Sequence, residues 1–180
     1  HVDRGLRAMF VKPNLKASPS PADEVNVDTE LAESDQQLSA RLMRVNHAGE
    51  IAAQGLYHGQ ALTAKNKKIK QQMHHSAQEE QAHLAWCEKR LTELDDRPST
   101  LNPVWYLGSY AIGAATGMLG DKWSLGFISE TEKQVVQHLD EHLLRLPKQD
   151  QKSREILLKM REDEAMHDKT AQDAGAHTLP

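Results

Sequence analysis

From Leu31 onward apolar residues recur every three or four positions, the spacing that places them on one face of a helix. The pattern runs from Leu31 to about Ala64 and from Lys67 to about Leu94, breaks at Lys65-Asn66 and stops at Pro98. It resumes from Asp121 to Leu146 and from Gln151 to Ala174, with a break around Pro147-Lys148. Four long helices in two hairpins are therefore predicted, an all-α bundle over residues 31–174. Between the hairpins, Pro98 to Gly120 carries no charge but includes Trp105, Tyr106, Leu107, Tyr110, Ile112, Met118 and Leu119. Exposed, these would form a sizeable apolar surface, so an additional apolar segment at a membrane interface is predicted, with Trp105, Tyr106 and Tyr110 in the headgroup zone. Pro103 and the glycines at 108, 113, 117 and 120 make it a poor membrane span. The alternative is that it packs on the bundle or on a second copy, with Gly113-Ala-Ala-Thr-Gly117 as the close-packing face.

Upstream, Val2, Leu6, Met9 and Phe10 lie opposite Arg4 and Arg7, which predicts a short basic amphipathic helix over residues 1–10. Residues 11–30, with Pro13, Pro19 and Pro21, read as a linker, and 175–180 as a C-terminal tail expected to be truncated.

Composition narrows the function classes. Aromatics make up 4% of the 180 residues and helix formers are plentiful, in keeping with helices. The net charge is −4 and the basic residues are scattered, so no nucleic-acid partner is expected. Cys87 is the single cysteine, which excludes an internal disulfide and any Cys-based zinc finger.

The candidate chemistry interrupts the apolar seams. Glu80-Gln81-Ala82-His83 and Glu164-Ala165-Met166-His167 are both Glu-x-x-His, with carboxylate and imidazole on one helix face. Each is preceded in its partner helix by another glutamate, Glu50 and Glu132, so the set is an internal repeat. The midpoint of Glu50 and Glu80 is residue 65, and that of Glu132 and Glu164 is residue 148, both inside the turns. Each glutamate thus faces its Glu-x-x-His, roughly 22 Å from the turn at about 1.5 Å per residue. Docking the hairpins can bring all six to one level. Four buried carboxylates would be costly unless two divalent cations neutralised them. One imidazole per metal among oxygen ligands suits iron or manganese. Asp163 is a candidate acceptor from His83, and His47 a candidate lining residue. His74, His75, His142 and His177 read as ordinary helix or tail residues, and Cys87 as core.

The two-Glu, two-Glu-x-x-His arrangement resembles that of ferritin-like di-iron bundles. The run Arg44-Val45-Asn46-His47-Ala48-Gly49-Glu50, with Glu80-x-x-His83, Glu132 and Asp163-Glu164-x-x-His167, resembles the bacterial type of the demethoxyubiquinol hydroxylase family over about Leu38 to Ala174. That resemblance implies a ferritin-like di-iron monooxygenase. Its two iron ions would be held by Glu50, Glu80, His83, Glu132, Glu164 and His167, with Glu80 and Glu164 bridging. It further implies hydroxylation by dioxygen of a polyprenyl methoxy-methyl-benzoquinol in ubiquinone biosynthesis, and a peripheral position on the cytoplasmic face of the bacterial cell membrane. Partners implied are the membrane quinol, dioxygen, the bilayer surface, and a homo-oligomer or a ubiquinone-biosynthesis complex. Many mitochondrial members carry tyrosine after the histidine matching His138, whereas this chain has Leu139. The competing readings are an iron-storage ferroxidase and a non-catalytic quinone-binding partner. Removal of Glu164 is expected to destroy the metal pair and to relieve carboxylate repulsion in the metal-free core.

Overall fold

A computed structural model of the chain describes residues 19–25 and 30–179. The expected amphipathic helix at 1–10 and most of the linker lie outside the described residues. After a short 3-10 turn at Pro21–Glu24, inside the stretch read as linker, five α-helices follow in order: α1 (Glu33–Thr63), α2 (Lys67–Glu93), α3 (Asn102–Met118), α4 (Asp121–Arg145) and α5 (Gln151–Asp173). No strand occurs among the described residues. Asn66 caps α2 by accepting from the Lys68 N–H, and Asp150 caps α5 by accepting from that of Ser153. The two turns therefore fall where the breaks in periodicity place them.

The hairpins α1–α2 and α4–α5 dock with their turns at opposite ends of the bundle. One apolar cluster joins Met43, Leu91, Leu139 and Leu157, which lie near the start of α1, the end of α2, the end of α4 and the start of α5. The other joins Tyr57, Met73, Leu125 and Ala171, from the opposite ends of the same helices. A chain leaving α2 must thus travel the length of the bundle before α4 can begin. The apolar segment makes that crossing as α3, a fifth helix beyond the four long ones predicted. It runs beside α1, where a Cβ at Gly55 would collide with the Tyr106 carbonyl, one at Gly59 with that of Tyr110, and one at Gly113 with that of Leu56. Glycine is needed on both helices for so close an approach. Asp121, at the start of α4, then accepts from the backbone N–H groups of Lys65 and Asn66, at 3.0 and 2.8 Å, and ties the crossover to the α1–α2 turn.

Packing on α1 is therefore what the Gly113–Gly117 face does. Tyr106, expected in a headgroup zone, is instead buried, with its Oη 3.0 Å from His58 Nδ1. The opposite face keeps Val104, Trp105, Leu107, Ile112 and Met118 exposed, and Leu119 just beyond the helix is exposed as well. No described helix is long and apolar enough to cross a membrane.

Candidate metal centre

Between the two apolar clusters, each of the four long helices turns a glutamate inward, and Glu50, Glu80, Glu132 and Glu164 are all buried. The six expected residues fall into two groups, Glu50, Glu80, His83 and Glu164 in one, and Glu132, Glu164 and His167 in the other. Glu80 and Glu164 each reach both histidines with different oxygens. Glu80 Oε2 lies 3.2 Å from His83 Nδ1 and Oε1 lies 3.4 Å from His167 Nδ1. Glu164 Oε1 lies 3.2 Å from His83 Nδ1 and Oε2 lies 3.0 Å from His167 Nδ1. Two bridging carboxylates between two imidazoles leave Glu50 on the His83 side, at 3.4 Å, and Glu132 on the His167 side.

Whether such a set suits metal can be tested on its own polar atoms. Both oxygens of Glu80, Oε2 of Glu50 and Nδ1 of His83 are buried without an aligned hydrogen bond. Native interiors seldom leave such atoms unpaired, and these four converge on one space. Cations would satisfy them, so the buried Glu/His cluster fits iron. In the metal-free protein, protons do part of that work. Burial, then the charges of Glu164 and Glu50, push the Glu80 carboxyl well up. Burial and the Glu164 charge do the same to Glu132, whose Oε1 accepts from Tyr57 Oη at 2.6 Å. Burial alone would lower His83, but its contacts with Asp163, Glu164, Glu50 and Glu80 raise it well above the usual imidazole range. Glu164 moves the other way. Although burial opposes it, contacts with His167 and His83 hold that carboxyl below the usual range.

The outer ring nitrogens are also held. His83 Nε2 lies 3.1 Å from Asp163 Oδ2, and His167 Nε2 lies 3.1 Å from Glu79 Oε2. The acid before each Glu-x-x-His glutamate thus orients the histidine of the other motif. Asp163 takes the role weighed for it. Glu79 was missed, although the repeat offered the signal, since it precedes Glu80 as Asp163 precedes Glu164. Such partners fix the tautomer of a metal-binding histidine and strengthen it as a ligand. We expect Glu79→Ala to weaken metal binding about 10- to 100-fold while the helical content is retained. Competition with a metal-chelating dye would measure it, and unchanged affinity would show that Glu79 makes only a surface contact.

A cavity of about 510 Å³ opens between α1 and α4 and ends at Glu50, Glu132 and Glu164. Its wall is largely apolar, including Val45, Ala53, Val135 and Leu139, and Trp105 of α3 stands in it. His47 does not line this cavity. It is buried against α3, with its Nδ1 3.4 Å from Asn102 Nδ2, and burial lowers it to about 4. His142 is likewise no ordinary helix residue, since it is buried and its Nδ1 lies 2.9 Å from Asn46 Oδ1.

Comparisons with known proteins agree with this geometry. The family described as ubiquinone biosynthesis protein COQ7 matches residues 37–180. A 3-demethoxyubiquinol 3-hydroxylase of Ralstonia pickettii (strain 12J) is 52% identical over 189 residues, covering 99% of this chain and 86% of that protein. One of Legionella pneumophila (strain Paris) is 52% identical over 180 residues, covering 99% and 84%. Among solved structures, the dodecameric thioferritin, a bacterioferritin-related protein from Bacteroides fragilis, superposes with a TM-score of 0.59 at 17% identity, covering 96% of this chain and 92% of that one. That likeness identifies the fold as ferritin-like.

Proposed function

Because the chain belongs to the ubiquinone biosynthesis protein COQ7 family, we infer that it is a 3-demethoxyubiquinol 3-hydroxylase, an oxygen-dependent enzyme of ubiquinone biosynthesis whose centre is a pair of iron ions. One observation carries the metal count. Glu80 and Glu164 each divide their two oxygens between His83 and His167, a division that a single ion would not require. Glu50, Glu80 and His83 would hold one iron, Glu132 and His167 the other, with Glu164 and Glu80 between them. When bound, a reduced iron pair supplies the electrons and the open positions that activate dioxygen. The protein's own residues do the rest. They position the quinol ring in the cavity ending at Glu50 and Glu132, exclude bulk water, and orient both imidazoles through Glu79 and Asp163.

Anaerobic loading is expected to give about two irons per chain, with a magnetically coupled Mössbauer signal, and air plus a short-tailed demethoxyquinol should yield the hydroxylated ring. One tightly bound zinc per chain, with no coupled iron signal, would overturn the reading. A hollow assembly that mineralises iron but leaves the quinol untouched would favour an iron-storage ferroxidase instead.

The quinol dissolves in the bilayer, and the exposed apolar face of α3 adjoins the cavity through Trp105. The protein accordingly sits peripherally on the cytoplasmic membrane surface, with that face shallowly in the lipid and the cavity mouth admitting the ring. Flotation with liposomes tests this. Wild type should rise with the lipid, whereas Trp105→Glu combined with Leu107→Glu should stay behind and lose turnover on long-tailed quinol. Equal recovery and equal turnover would rule the membrane position out.

A further inference from the structure

We propose that Asn46 recognises a ring oxygen of the aromatic substrate, its carboxamide held by His142 so that an N–H donor faces the cavity. The inference rests on the quinol reading above and names the residue that reads the ring.

Asn46 is 3% exposed, lines the cavity that ends at Glu50 and Glu132, and leaves its Nδ2 without a hydrogen-bond partner. Its other end is fixed. Oδ1 lies 2.9 Å from His142 Nδ1, and a carboxamide oxygen can only accept, so His142 carries its proton on Nδ1 and donates. Burial keeps His142 uncharged at neutral pH by lowering it to about 4, with His138 and Arg145 adding to the effect. The amide turned end for end would keep the contact only if His142 moved its proton to Nε2, and in the arrangement observed the NH₂ group is the end left for a ligand. His138 supports the pair from the next turn of α4, its ring centroid 3.9 Å from that of His142, and it lines the same cavity.

The chemistry of the occupant follows from what surrounds this donor. Much of the wall, Val45, Ala53, Val135 and Leu139 among it, offers no hydrogen bond, and besides Asn46 its donors are Trp105, Thr131, Gln134 and His138, so a ligand oxygen buried there is favoured only where one of them meets it. A buried amide N–H left unpaired is equally unfavourable, and each group satisfies the other. The cavity thus suits a flat, mostly apolar ring with a hydroxyl, carbonyl or methoxy oxygen on the edge turned to Asn46. A hydrocarbon of the same shape would leave the N–H unpaired.

Binding to the metal-free protein, measured by titration calorimetry, separates this role from turnover. Two probes suffice, a short-tailed methoxy-methyl-benzoquinone and a ring of the same size bearing only alkyl groups. Asn46→Leu should weaken binding of the quinone about tenfold, equivalent to about 1.4 kcal/mol, and leave the hydrocarbon within about twofold. His142→Phe keeps the cavity wall intact but frees the amide, and should weaken the quinone by a smaller factor of about three, again without affecting the hydrocarbon. Because the ratio of the two affinities is read within each variant, and His142→Phe serves if Asn46→Leu does not fold, the proposal stays exposed to refutation. A ratio equal to wild type in a folded variant overturns it and leaves the hydroxylase reading standing. Failure of wild type to bind the quinone at all overturns both.

Discussion

Alanine at position 164 is expected to abolish hydroxylation and reduce bound iron below one equivalent, and also to cost the metal-free protein about 3 kcal/mol of stability. The second effect reverses the relief of repulsion that spacing alone suggests. Glu164 is the carboxylate that His83 and His167 grip from both sides, and its removal leaves two imidazoles without their shared counter-charge. The repulsion is concentrated at Glu80, whose oxygens have no aligned partner and whose carboxyl is pushed up by burial and by Glu164 and Glu50. Glu80→Ala should therefore lose the metal pair equally but leave the metal-free fold within about 1 kcal/mol of wild type. The two variants also differ with pH. His83 and His167 are raised in the folded state, so their contribution is fully present below the ordinary imidazole value of 6.5 and is lost as pH rises through their folded values. Glu80 and Glu132, raised above 4.5, act in the same direction, whereas Glu164, lowered, stabilises above 4.5 and loses its contribution only in acid. Metal-free wild type should thus lose stability as pH rises, from the two raised carboxyls above 4.5 and from the histidines above 6.5, and Glu164→Ala should show a shallower loss because its histidines start closer to ordinary values. Urea melts across that range decide it. Equal stability of the two alanine variants at neutral pH would show that Glu164 is not the charged partner.

Much of this site could be read from spacing because an internal repeat fixes it twice. Glu50 and Glu80 are level across one turn, Glu132 and Glu164 across the other, and any docking that buries both seams brings the four glutamates and two histidines together. What spacing could not supply was the relative direction of the hairpins. Residues lie level in either orientation, and only the placement of the turns at opposite ends makes the 98–120 segment a crossover. Its lack of charge suggested a surface for lipid, yet half of its apolar side serves α1 through Gly55, Gly59 and Gly113. Apolar periodicity does not distinguish a protein neighbour from a bilayer. Asn46 and His142 escaped for another reason: their roles depend on which helix lies opposite, and a single helical wheel does not contain that information, whereas Glu79 was legible in the repeat as the counterpart of Asp163.

The docking of the hairpins has its own polar lock, and breaking it should produce the largest loss of stability among substitutions away from the metal. Arg90 of α2 is 7% exposed and gives its Nη2 to Asp150 Oδ1 at 2.8 Å, its Nε to Ser153 Oγ at 2.9 Å and its Nη1 to Glu93 at 2.8 Å. Asp150 is 2% exposed and also caps α5 through the Ser153 N–H at 3.0 Å. One carboxylate thus neutralises a buried guanidinium of the first hairpin and starts the last helix of the second. Asp150→Ala takes from Arg90 its fully buried carboxylate, leaving only the partly exposed Glu93 to pair with it, and removes the cap, which together should cost about 3 kcal/mol, or roughly 10 °C in Tm for a chain of this length. Arg90→Leu with Asp150→Leu should recover much of that, since two apolar residues of similar bulk remove the half-compensated buried charge, and the cap stays lost. The consequence for function is distance. Arg90 lies seven residues beyond His83, so a loosened interface at that level reaches the ligands within two helical turns. Well below the melting point of Asp150→Ala, metal binding should therefore weaken although no ligand has changed, and the double leucine variant should restore it. If calorimetry finds Asp150→Ala within 1 kcal/mol of wild type, the pair adds no net stability and the hairpins are held by their apolar seams alone.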